Sequence, residues 1–250
     1  MIERERRGDV SILRLAHGRA NALDLELLRA TSAALDDAAD ARALVITGTD
    51  RIFCAGVDLF RVTAGGASYV REFLPVLDDT LEKLYLYPRP VIAAVNGHAV
   101  AGGCVIACAC DMRVMSAGAA TIGTPELHVG VPFPGIALEI MRATVTPACL
   151  ERLAFSGRNV SAEQALAWGL VDELCEPSEL LERACEHADR LAAIPPATFA
   201  FSKDQIKGPA LAVRRGRAAA EDARVTELWT AETTLAAIRS YVERTIRKGS

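Results

Sequence analysis

Aromatic residues are scarce in this sequence: they make up 5% of its 250 residues, and two of them are Trp. Hydrophobic residues nevertheless account for 51% of the chain, so the core must be built mainly from Ala, Val, Ile and Leu. Ala occurs 44 times and Gly 18 times, a composition that suits close packing of backbones. A chain this apolar is not disordered. Its length fits one domain, or one domain with a smaller appendage.

Basic charge is also lacking. The net charge is −4 and the isoelectric point is about 5.7. Binding to DNA or RNA normally requires a basic face, so the sequence predicts no nucleic-acid partner. One stretch of twenty residues, 91–110, carries no formal charge, but Asn96, Gly97 and His98 interrupt it. A strand, a polar turn and the start of a helix explain this stretch better than a membrane span does.

Paired cysteines and targeting signals are missing as well. The seven cysteines are an odd number, and no CxxC pair occurs. Cys108 and Cys110 have no histidine at ligand spacing, so the pattern favours buried free thiols over a metal site. The N-terminus carries charges and no apolar segment, which indicates no signal peptide. These features lead us to expect a cytoplasmic protein in a reducing compartment.

The hydrophobic pattern alternates between strands and helices and predicts an α/β fold with a helical C-terminal part. Ser161 and Gln164 form the pattern of a capping box, and Ser178 is expected to cap the helix that follows it. The predicted strands cover residues 10–15, 43–46, 91–95, 112–115 and 170–174. The predicted helices cover a stretch from about 23 to 41, then 74–86, 101–110, 135–145, 146–156, 161–169, 179–194 and most of 197–248.

Three glycine-containing turns follow predicted strands and lead into helices, at residues 53–59, 96–104 and 123–126. None contains GxGxxG, GK[ST] or GxSxG, which argues against dinucleotide binding, a P-loop or a nucleophile elbow. Such turns leave backbone N–H groups unpaired and pointing outward. Two of these groups can form an oxyanion hole, and a carboxylate on the third loop can move a proton beside the bound carbonyl.

Two of these segments resemble the signatures of the crotonase superfamily, the enoyl-CoA hydratases and isomerases. They are F-C-A-G-V-D-L at 53–59 and A-V-N-G-H-A-V-A-G-G-C at 94–104. N-A-L-D near the start, G-x-P-E at 123–126 and A-x-x-W-G-L-V-D at 165–172 follow in the matching order. The resemblance covers residues 8–248. It implies an α/β fold with a crotonase-like ββα spiral core and a helical C-terminal trimerisation region, which we place at 1–194 and 195–250.

The resemblance also implies roles for individual residues. Val57 and Gly102 would donate the two backbone N–H groups of the oxyanion hole, and Glu126 would be the catalytic carboxylate. The substrate would be an acyl-CoA thioester, and no cofactor is expected beyond the coenzyme A in that substrate. The expected substrate-binding residues are Cys54, Ala55, Gly56, Asp58, Leu59 and Gly103.

One position departs from the hydratases of this family. Where they have a first glutamate after Gly-Gly-Cys, this sequence has Val105. A hydratase uses two carboxylates to hold and split one water molecule, and valine cannot replace either. A Δ3,Δ2-enoyl-CoA isomerase needs a single carboxylate, so the resemblance favours isomerisation with Glu126 as the proton shuttle. A dienoyl-CoA isomerase is disfavoured, because it would need an aspartate where Pro134 stands.

Several alternatives stay open. The protein is a hydratase if Glu139 or another group replaces the missing carboxylate, or else a hydrolase or decarboxylase of the same superfamily. It is an acyl-CoA-binding scaffold if it kept the fold and lost the chemistry. The family implies a homotrimer or hexamer, and no membrane partner is expected. Arg244 and Lys248 are candidates to contact the CoA phosphates, whereas Asp58 and His98 have simple explanations as a helix cap and a turn residue.

Overall fold

Ten strands form two β-sheets within residues 1–246, the part of the chain that the computed structural model describes. The strands are β1 (Ile2–Arg7), β2 (Val10–Leu15), β3 (Ala43–Thr47), β4 (Ile52–Cys54), β5 (Val91–Val95), β6 (His98–Val100), β7 (Met112–Ser116), β8 (Thr121–Gly123), β9 (Val160–Ser161) and β10 (Glu173–Cys175). The larger sheet has the order β1-β2-β3-β5-β7-β10 and the smaller one β4-β6-β8-β9. Neighbours in the larger sheet are parallel except β1 and β2.

Helices cover both faces of the larger sheet. Alternate residues of β3 point to opposite faces: Leu44 and Ile46 join the main core, while Ala43 and Val45 pack in a smaller cluster with helix α8. Burial on both faces explains why these strands are continuous apolar runs in the sequence. The α-helices of the described chain are α1 (Leu25–Asp37), α2 (Leu59–Tyr85), α3 (Gly102–Ala109), α4 (Glu126–Val129), α5 (Gly135–Thr144), α6 (Pro147–Ser156), α7 (Ala162–Ala167), α8 (Leu180–Ala192), α9 (Pro196–Thr230) and α10 (Glu232–Tyr241), and a short π-helix (Val242–Ile246) follows α10.

Several predicted elements are confirmed and others need correction. Four of the five predicted strands lie where expected, but the fifth is shorter and later, at Glu173–Cys175. The hydroxyl of Ser161 accepts a hydrogen bond from the backbone N–H of Gln164 at 3.3 Å, as the capping pattern predicts. The prediction for Ser178 is wrong, because α8 begins after Glu179 with no side-chain cap. Six of the seven free cysteines are buried, as expected for small apolar side chains.

The C-terminal helices pack onto the rest of the protein. Helix α9 lies against α2 and α5, and α10 lies against α2. Lys203 of α9 is buried and donates a hydrogen bond to the carboxylate of Asp111 at 2.8 Å, beside the end of α3. The division at 194/195 and the trimerisation role of this region stay predictions. Within residues 1–246 there is no helix with the length and apolarity that a bilayer crossing requires.

Candidate active site

Two of the three glycine turns touch each other. Gly56, in the turn after β4, has a φ of +82°, and a Cβ added there would lie 2.7 Å from the Cβ of Ala101. The same added Cβ would lie 3.1 Å from the backbone nitrogen of Gly102. Only glycine combines this positive φ with so close an approach of two backbones. The turn before α2 and the turn before α3 are thereby held side by side.

The backbone N–H groups of Val57 and Gly102 are both free at this junction. The N–H of Leu23 donates to the carbonyl of Gly56 at 2.8 Å, and the N–H of Asp58 donates to the carbonyl of Leu23 at 2.9 Å. These two hydrogen bonds flank Val57 and do not use its N–H group. Gly102 begins α3 and has no partner within that helix. Among the described residues neither N–H has an acceptor, and both residues line one cavity. Two such donors are the parts of an oxyanion hole.

Ala101, the residue before Gly102, has an unusual backbone conformation. It precedes α3 with φ of 52° and ψ of −122°, a region that residues with a Cβ rarely adopt. Its N–H donates to the carbonyl of Gly123 at 2.8 Å, which ties the turn to strand β8. Strained residues of this kind cluster at functional sites.

Glu126 lines the same cavity from a third direction. It is the first residue of α4, follows Pro125, and is 8% exposed. Its Oε2 is buried and has no hydrogen-bond partner in the described chain. Burial raises the pKa of Glu126 to about 7, and its own backbone N–H opposes part of that rise. A carboxyl with a pKa near neutrality can both accept and return a proton.

Within the described residues, no second acid lines the cavity from α3 or α5. Val105 of α3 lines it as a buried aliphatic side chain. Asp58 also lines it, but its Oδ1 accepts hydrogen bonds from the backbone N–H groups of Phe60 and Arg61 as the cap of α2. Glu139 of α5 does not line the cavity. Its carboxylate forms ion pairs with Arg142 of the same helix and Arg217 of α9.

The structure brings six of the nine expected site residues to the cavity wall. They are Ala55, Val57, Asp58, Leu59, Gly102 and Glu126. Cys54, Gly56 and Gly103 do not line the cavity, and their contact with substrate stays a prediction. A Cβ on Gly103 would lie 2.1 Å from the carbonyl oxygen of Cys54, so these positions pack backbone against backbone behind the wall. His98 has the expected structural role, with its Nδ1 bonded to Thr121.

Sequence reasoning missed more than half of the cavity wall. The missing residues come from segments far apart in the chain, which meet only in the folded protein. Trp229 is buried, and it also lines the cavity. Arg244 is exposed and does not line it, and Lys248 lies outside the described residues. The missed wall residues are His17, Gly18, Arg19, Ala20, Ala22, Phe60, Leu77, Leu81, Val100, Pro125, Val129, Val131, Pro134, Ala137, Trp229 and Tyr241.

The cavity has a volume of about 460 Å³ and a mainly apolar wall. This is the size of a small-molecule site. Within residues 1–246, no group of three or more His, Cys, Asp or Glu side chains is arranged to hold a metal ion. The arrangement suits an enzyme that binds a carbonyl oxygen through backbone N–H groups and moves a proton next to it.

The chain belongs to the enoyl-CoA hydratase/isomerase family, whose sequence model matches residues 5–248. A short-chain-enoyl-CoA hydratase of Clostridium acetobutylicum is 32% identical over 208 residues, covering 81% of this chain and 79% of that protein. One Mycobacterium tuberculosis protein has been described both as an enoyl-CoA isomerase and as a probable enoyl-CoA hydratase. The first of its structures is 30% identical, covers 91% of this chain and 96% of its own, and has a TM-score of 0.81.

The fold itself is the crotonase fold, including its C-terminal helical region. Human mitochondrial Δ3-Δ2-enoyl-CoA isomerase superposes with a TM-score of 0.94 over 100% of this chain and 99% of its own, at 20% identity. At that identity the likeness concerns the fold alone. The protein is therefore an enzyme of the enoyl-CoA hydratase/isomerase family, and its relatives carry names from both activities.

Proposed function

We propose that this enzyme isomerises 3-enoyl-CoA thioesters to 2-enoyl-CoA thioesters, with Glu126 as the single proton shuttle. The observation that carries the proposal is the pairing of one available carboxylate with an aliphatic residue. Glu126 lines the cavity, and its Oε2 has no hydrogen-bond partner in the described chain. Val105 lines the same cavity and occupies the sequence position at which hydratases of this family have their other acid.

The reaction balances with one group that takes and returns a proton. The thioester oxygen accepts hydrogen bonds from the backbone N–H groups of Val57 and Gly102, which stabilise negative charge on it. The Glu126 carboxylate removes a proton from C2, and the electron pair delocalises over the thioester and the C3–C4 double bond as a dienolate. The same proton returns from the Glu126 carboxyl to C4, leaving a double bond between C2 and C3. Nothing is oxidised, and no water is consumed.

The surroundings of Glu126 suit this shuttle. Its pKa of about 7 lets it be ionised when it removes a proton and protonated when it returns one. No side-chain hydrogen bond fixes its Oε2 within the described chain, so the carboxyl is free to serve two neighbouring carbons. The valine, leucine and tryptophan side chains that line the same cavity leave little polar surface to hold a nucleophilic water. An enolate in such a site is protected from side reactions.

Hydration of 2-enoyl-CoA is the second candidate, because curated relatives such as the Clostridium protein are named hydratases. It requires a group that activates water opposite Glu126. Glu139 was a candidate for this role, but its carboxylate is held in an ion pair with Arg217 at 2.7 Å and does not line the cavity. We therefore rank hydration below isomerisation.

Two substrates separate the candidates. The purified enzyme is given 3-hexenoyl-CoA and, separately, 2-hexenoyl-CoA, and the conjugated thioester is followed by its ultraviolet absorbance. We expect rapid conversion of the 3-enoyl compound and slow hydration of the 2-enoyl compound. Glu126→Gln should lower the isomerase kcat by about 10²- to 10⁴-fold, the usual contribution of one acid–base group. Glu139→Gln should retain most of that kcat.

Three results would contradict the proposal in different ways. Fast hydration that survives in Glu126→Gln would show that another group carries the chemistry. Fast hydration that is lost in Glu139→Gln would assign that glutamate as the second acid. Binding of both thioesters without turnover would favour an acyl-CoA-binding scaffold.

A further inference from the structure

Helix α3 has an oxyanion-hole donor at one end and a buried group of charges at the other. Gly102, which supplies one of the two free N–H groups, is the first residue of this helix, and Ala109 is the last. The carbonyl of Ala109 accepts a hydrogen bond from Nζ of Lys207 at 2.9 Å. The helix has 8 residues and is therefore about 12 Å long. Lys207, a residue of α9, thus lies at the end of α3 that is remote from the oxyanion hole.

Two lysines of α9 share one carboxylate at this end of α3. Nζ of Lys203 lies 2.8 Å from Oδ2 of Asp111, and Nζ of Lys207 lies 2.8 Å from Oδ1 of the same residue. The exposed fractions of the side chains are 5% for Lys203, 13% for Lys207 and 12% for Asp111. We call these three residues the lysine cluster. Within residues 1–246 neither lysine is paired with another carboxylate, so the cluster combines two positive charges with one negative charge.

The lysine cluster therefore carries a net positive charge at neutral pH. Burial lowers the pKa of Lys203 to about 8, so its ammonium group is still mostly charged at pH 7. Arg113 also contacts this end of α3, since its Nη1 donates to the carbonyl of Cys110 at 3.4 Å. Its charge is balanced by the carboxylate of Asp172 at 2.7 Å and adds nothing to the sum.

The path from the lysine cluster to the oxyanion hole is apolar. Every residue of α3 from Gly103 to Ala109 is buried, and none has a charged side chain. Charges that act on each other through protein are screened much less than charges in water. The cluster also compensates the negative, carbonyl end of the helix dipole, which leaves the positive end at Gly102 less opposed. Both effects stabilise a negative charge that is bound to the N–H of Gly102.

Coulomb's law gives the size of the effect. One unit charge about 12–15 Å from another, at an effective dielectric constant of about 20, changes an equilibrium by about five- to tenfold. One direct donor of an oxyanion hole contributes about 10²- to 10³-fold. The lysine cluster is thus expected to supply a smaller but measurable part of the stabilisation.

We propose that the lysine cluster stabilises the thioester oxyanion electrostatically through α3, with Lys207 as its main positioning residue. Lys207 does not line the reaction cavity and acts only through the helix that it contacts. The proposal rests on the proposed function only in taking an acyl-CoA enolate as the species that is bound. It gives the C-terminal region a part in the chemistry, beyond its packing against the core.

Acetoacetyl-CoA tests this without any turnover. Its enolate absorbs in the near ultraviolet, so the absorbance of the bound ligand gives the ratio of enolate to ketone. Lys207→Met removes the charge but keeps an unbranched side chain, and it should lower this ratio about five- to tenfold at pH 7. Lys207→Arg keeps the charge and should restore the ratio to within about twofold of the wild type. Butyryl-CoA, which has no anionic form to bind, should keep its dissociation constant in both variants.

Steady-state kinetics with 3-hexenoyl-CoA give a second readout. In Lys207→Met, kcat should fall about five- to tenfold while KM changes little, because only the charge-developing step loses stabilisation. Lys207→Arg should recover kcat. Lys203→Met keeps the test valid if Lys207→Met does not fold, since it also removes one positive charge from the lysine cluster.

Thr144→Val is the matched control for a purely structural effect. The hydroxyl of Thr144 donates to the carbonyl of Cys108 at 3.1 Å, at the same end of α3, but it carries no charge. The variant should lose stability in urea and keep the wild-type ratio of enolate to ketone.

The outcomes separate this proposal from the proposed function. An unchanged enolate ratio in the folded Lys207→Met and Lys203→Met variants would overturn the role of the lysine cluster, and so would an equal loss in Thr144→Val. A wild type that binds acetoacetyl-CoA as the enolate but does not isomerise 3-hexenoyl-CoA would contradict the proposed function alone, and the enolate ratios would still decide the role of the cluster. A wild type that binds neither acetoacetyl-CoA nor butyryl-CoA would overturn both.

Discussion

The carboxyl of Glu126 is the residue on which the chemistry depends, and its environment sets its pKa. An isolated glutamate would be almost fully ionised at neutral pH. In this cavity, burial raises the pKa of Glu126 to about 7, so that both protonation states are present. Hydrophobic neighbours therefore tune an acid–base group without any charged partner, because removing water penalises the charged form alone.

This environment predicts the pH dependence of the isomerase. The first step needs the Glu126 carboxylate, so kcat/KM should fall about tenfold per pH unit below about 7 and level off above it. Initial rates with 3-hexenoyl-CoA between pH 5.5 and 8.5 give the profile, and circular dichroism at each pH confirms that the protein stays folded. A flat profile across this range would mean that Glu126 is not the base.

The valine at position 105 is the feature by which we expect this site to differ from that of a hydratase. Val105→Glu places a carboxyl in the cavity from α3 and should raise hydration of 2-hexenoyl-CoA at least tenfold, because water can then be held between two acids. The variant should also be less stable, since Val105 is 1% exposed and a carboxyl there loses its hydration.

A neighbouring position supplies the control for that prediction. Ile106→Glu puts the same carboxyl one residue further along α3, at a position that is 5% exposed but outside the cavity. It should lose stability without gaining hydration. Unchanged hydration in a folded, acyl-CoA-binding Val105→Glu enzyme would show that this position does not decide between the two reactions.

At the scale of elements, the beginning of α3 shows how the fold strains its backbone to build the site. Ala101 adopts φ 52° and ψ −122° immediately before the helix. Such a conformation costs a residue with a Cβ about 1–3 kcal/mol, and glycine avoids most of this. Glycine also gives the unfolded chain more conformational entropy than alanine does, and this offsets about 0.4–1 kcal/mol of the stability gained by relieving the strain.

Ala101→Gly should therefore stabilise the protein by about 1 kcal/mol. Urea denaturation followed by circular dichroism measures this as a higher midpoint with an unchanged slope. Ala107→Gly, in the interior of the same helix, is the matched control and should destabilise by about 1 kcal/mol, because no strain is relieved there. Equal losses in both variants would show that the Ala101 conformation is not strained.

The elements that sequence patterns predicted are those with a long apolar signal of their own. Strands β3 and β5 are buried on both faces, so every residue except Thr47 at the end of β3 is apolar, and the pattern is unmistakable. Helix α2 was predicted from residue 74 onward, but it begins at Leu59. The pair Gly65 and Gly66 is typical of a helix end and hides the first part of this helix in the sequence. Gly66 does break the helical geometry, with φ 57° and ψ −148°, yet the chain resumes a helix after it.

Other elements carry no such signal. Strand β1 has the sequence I-E-R-E-R-R and is mostly exposed; its strand structure comes from pairing with β2 at the edge of the sheet. Strands β4, β6 and β8 have three residues each and become strands only by pairing with one another. Local propensity is too weak to define elements of this kind, and tertiary pairing decides them.

For the molecule as a whole, the site is an assembly of distant segments. Motifs predicted the N–H donors and the carboxylate because each belongs to a local turn with an unusual sequence. The helical part of the cavity wall was not predicted, since Leu77, Ala137 and Trp229 are ordinary apolar residues of helices. Only the packing of α9 against α2 and α5 brings them together, and Lys203 helps to hold that packing through its buried contact with Asp111.

The raised pKa of Glu126 also links the active site to the stability of the whole molecule. Its folded-state pKa of about 7 exceeds the ordinary value of 4.5, so the native state binds a proton more tightly than the unfolded state does. The resulting stability is fully present below pH 4.5 and is lost as the pH rises through about 7. At about 1.4 kcal/mol per pKa unit, the loss amounts to about 3 kcal/mol.

Glu126→Gln removes this titration and should expose it as a pH-dependent difference between the two proteins. Near pH 5 their free energies of unfolding should be similar, and at pH 8 the variant should be more stable by up to about 3 kcal/mol. The pKa of Asp78 is also raised by burial, to about 6, but Asp78 is present in both proteins and its contribution cancels. Urea unfolding of both at pH 5, 6, 7 and 8 gives the difference directly. A difference that stays constant with pH would mean that Glu126 is ionised in the native state throughout, and it would remove the basis for its role as a shuttle at neutral pH.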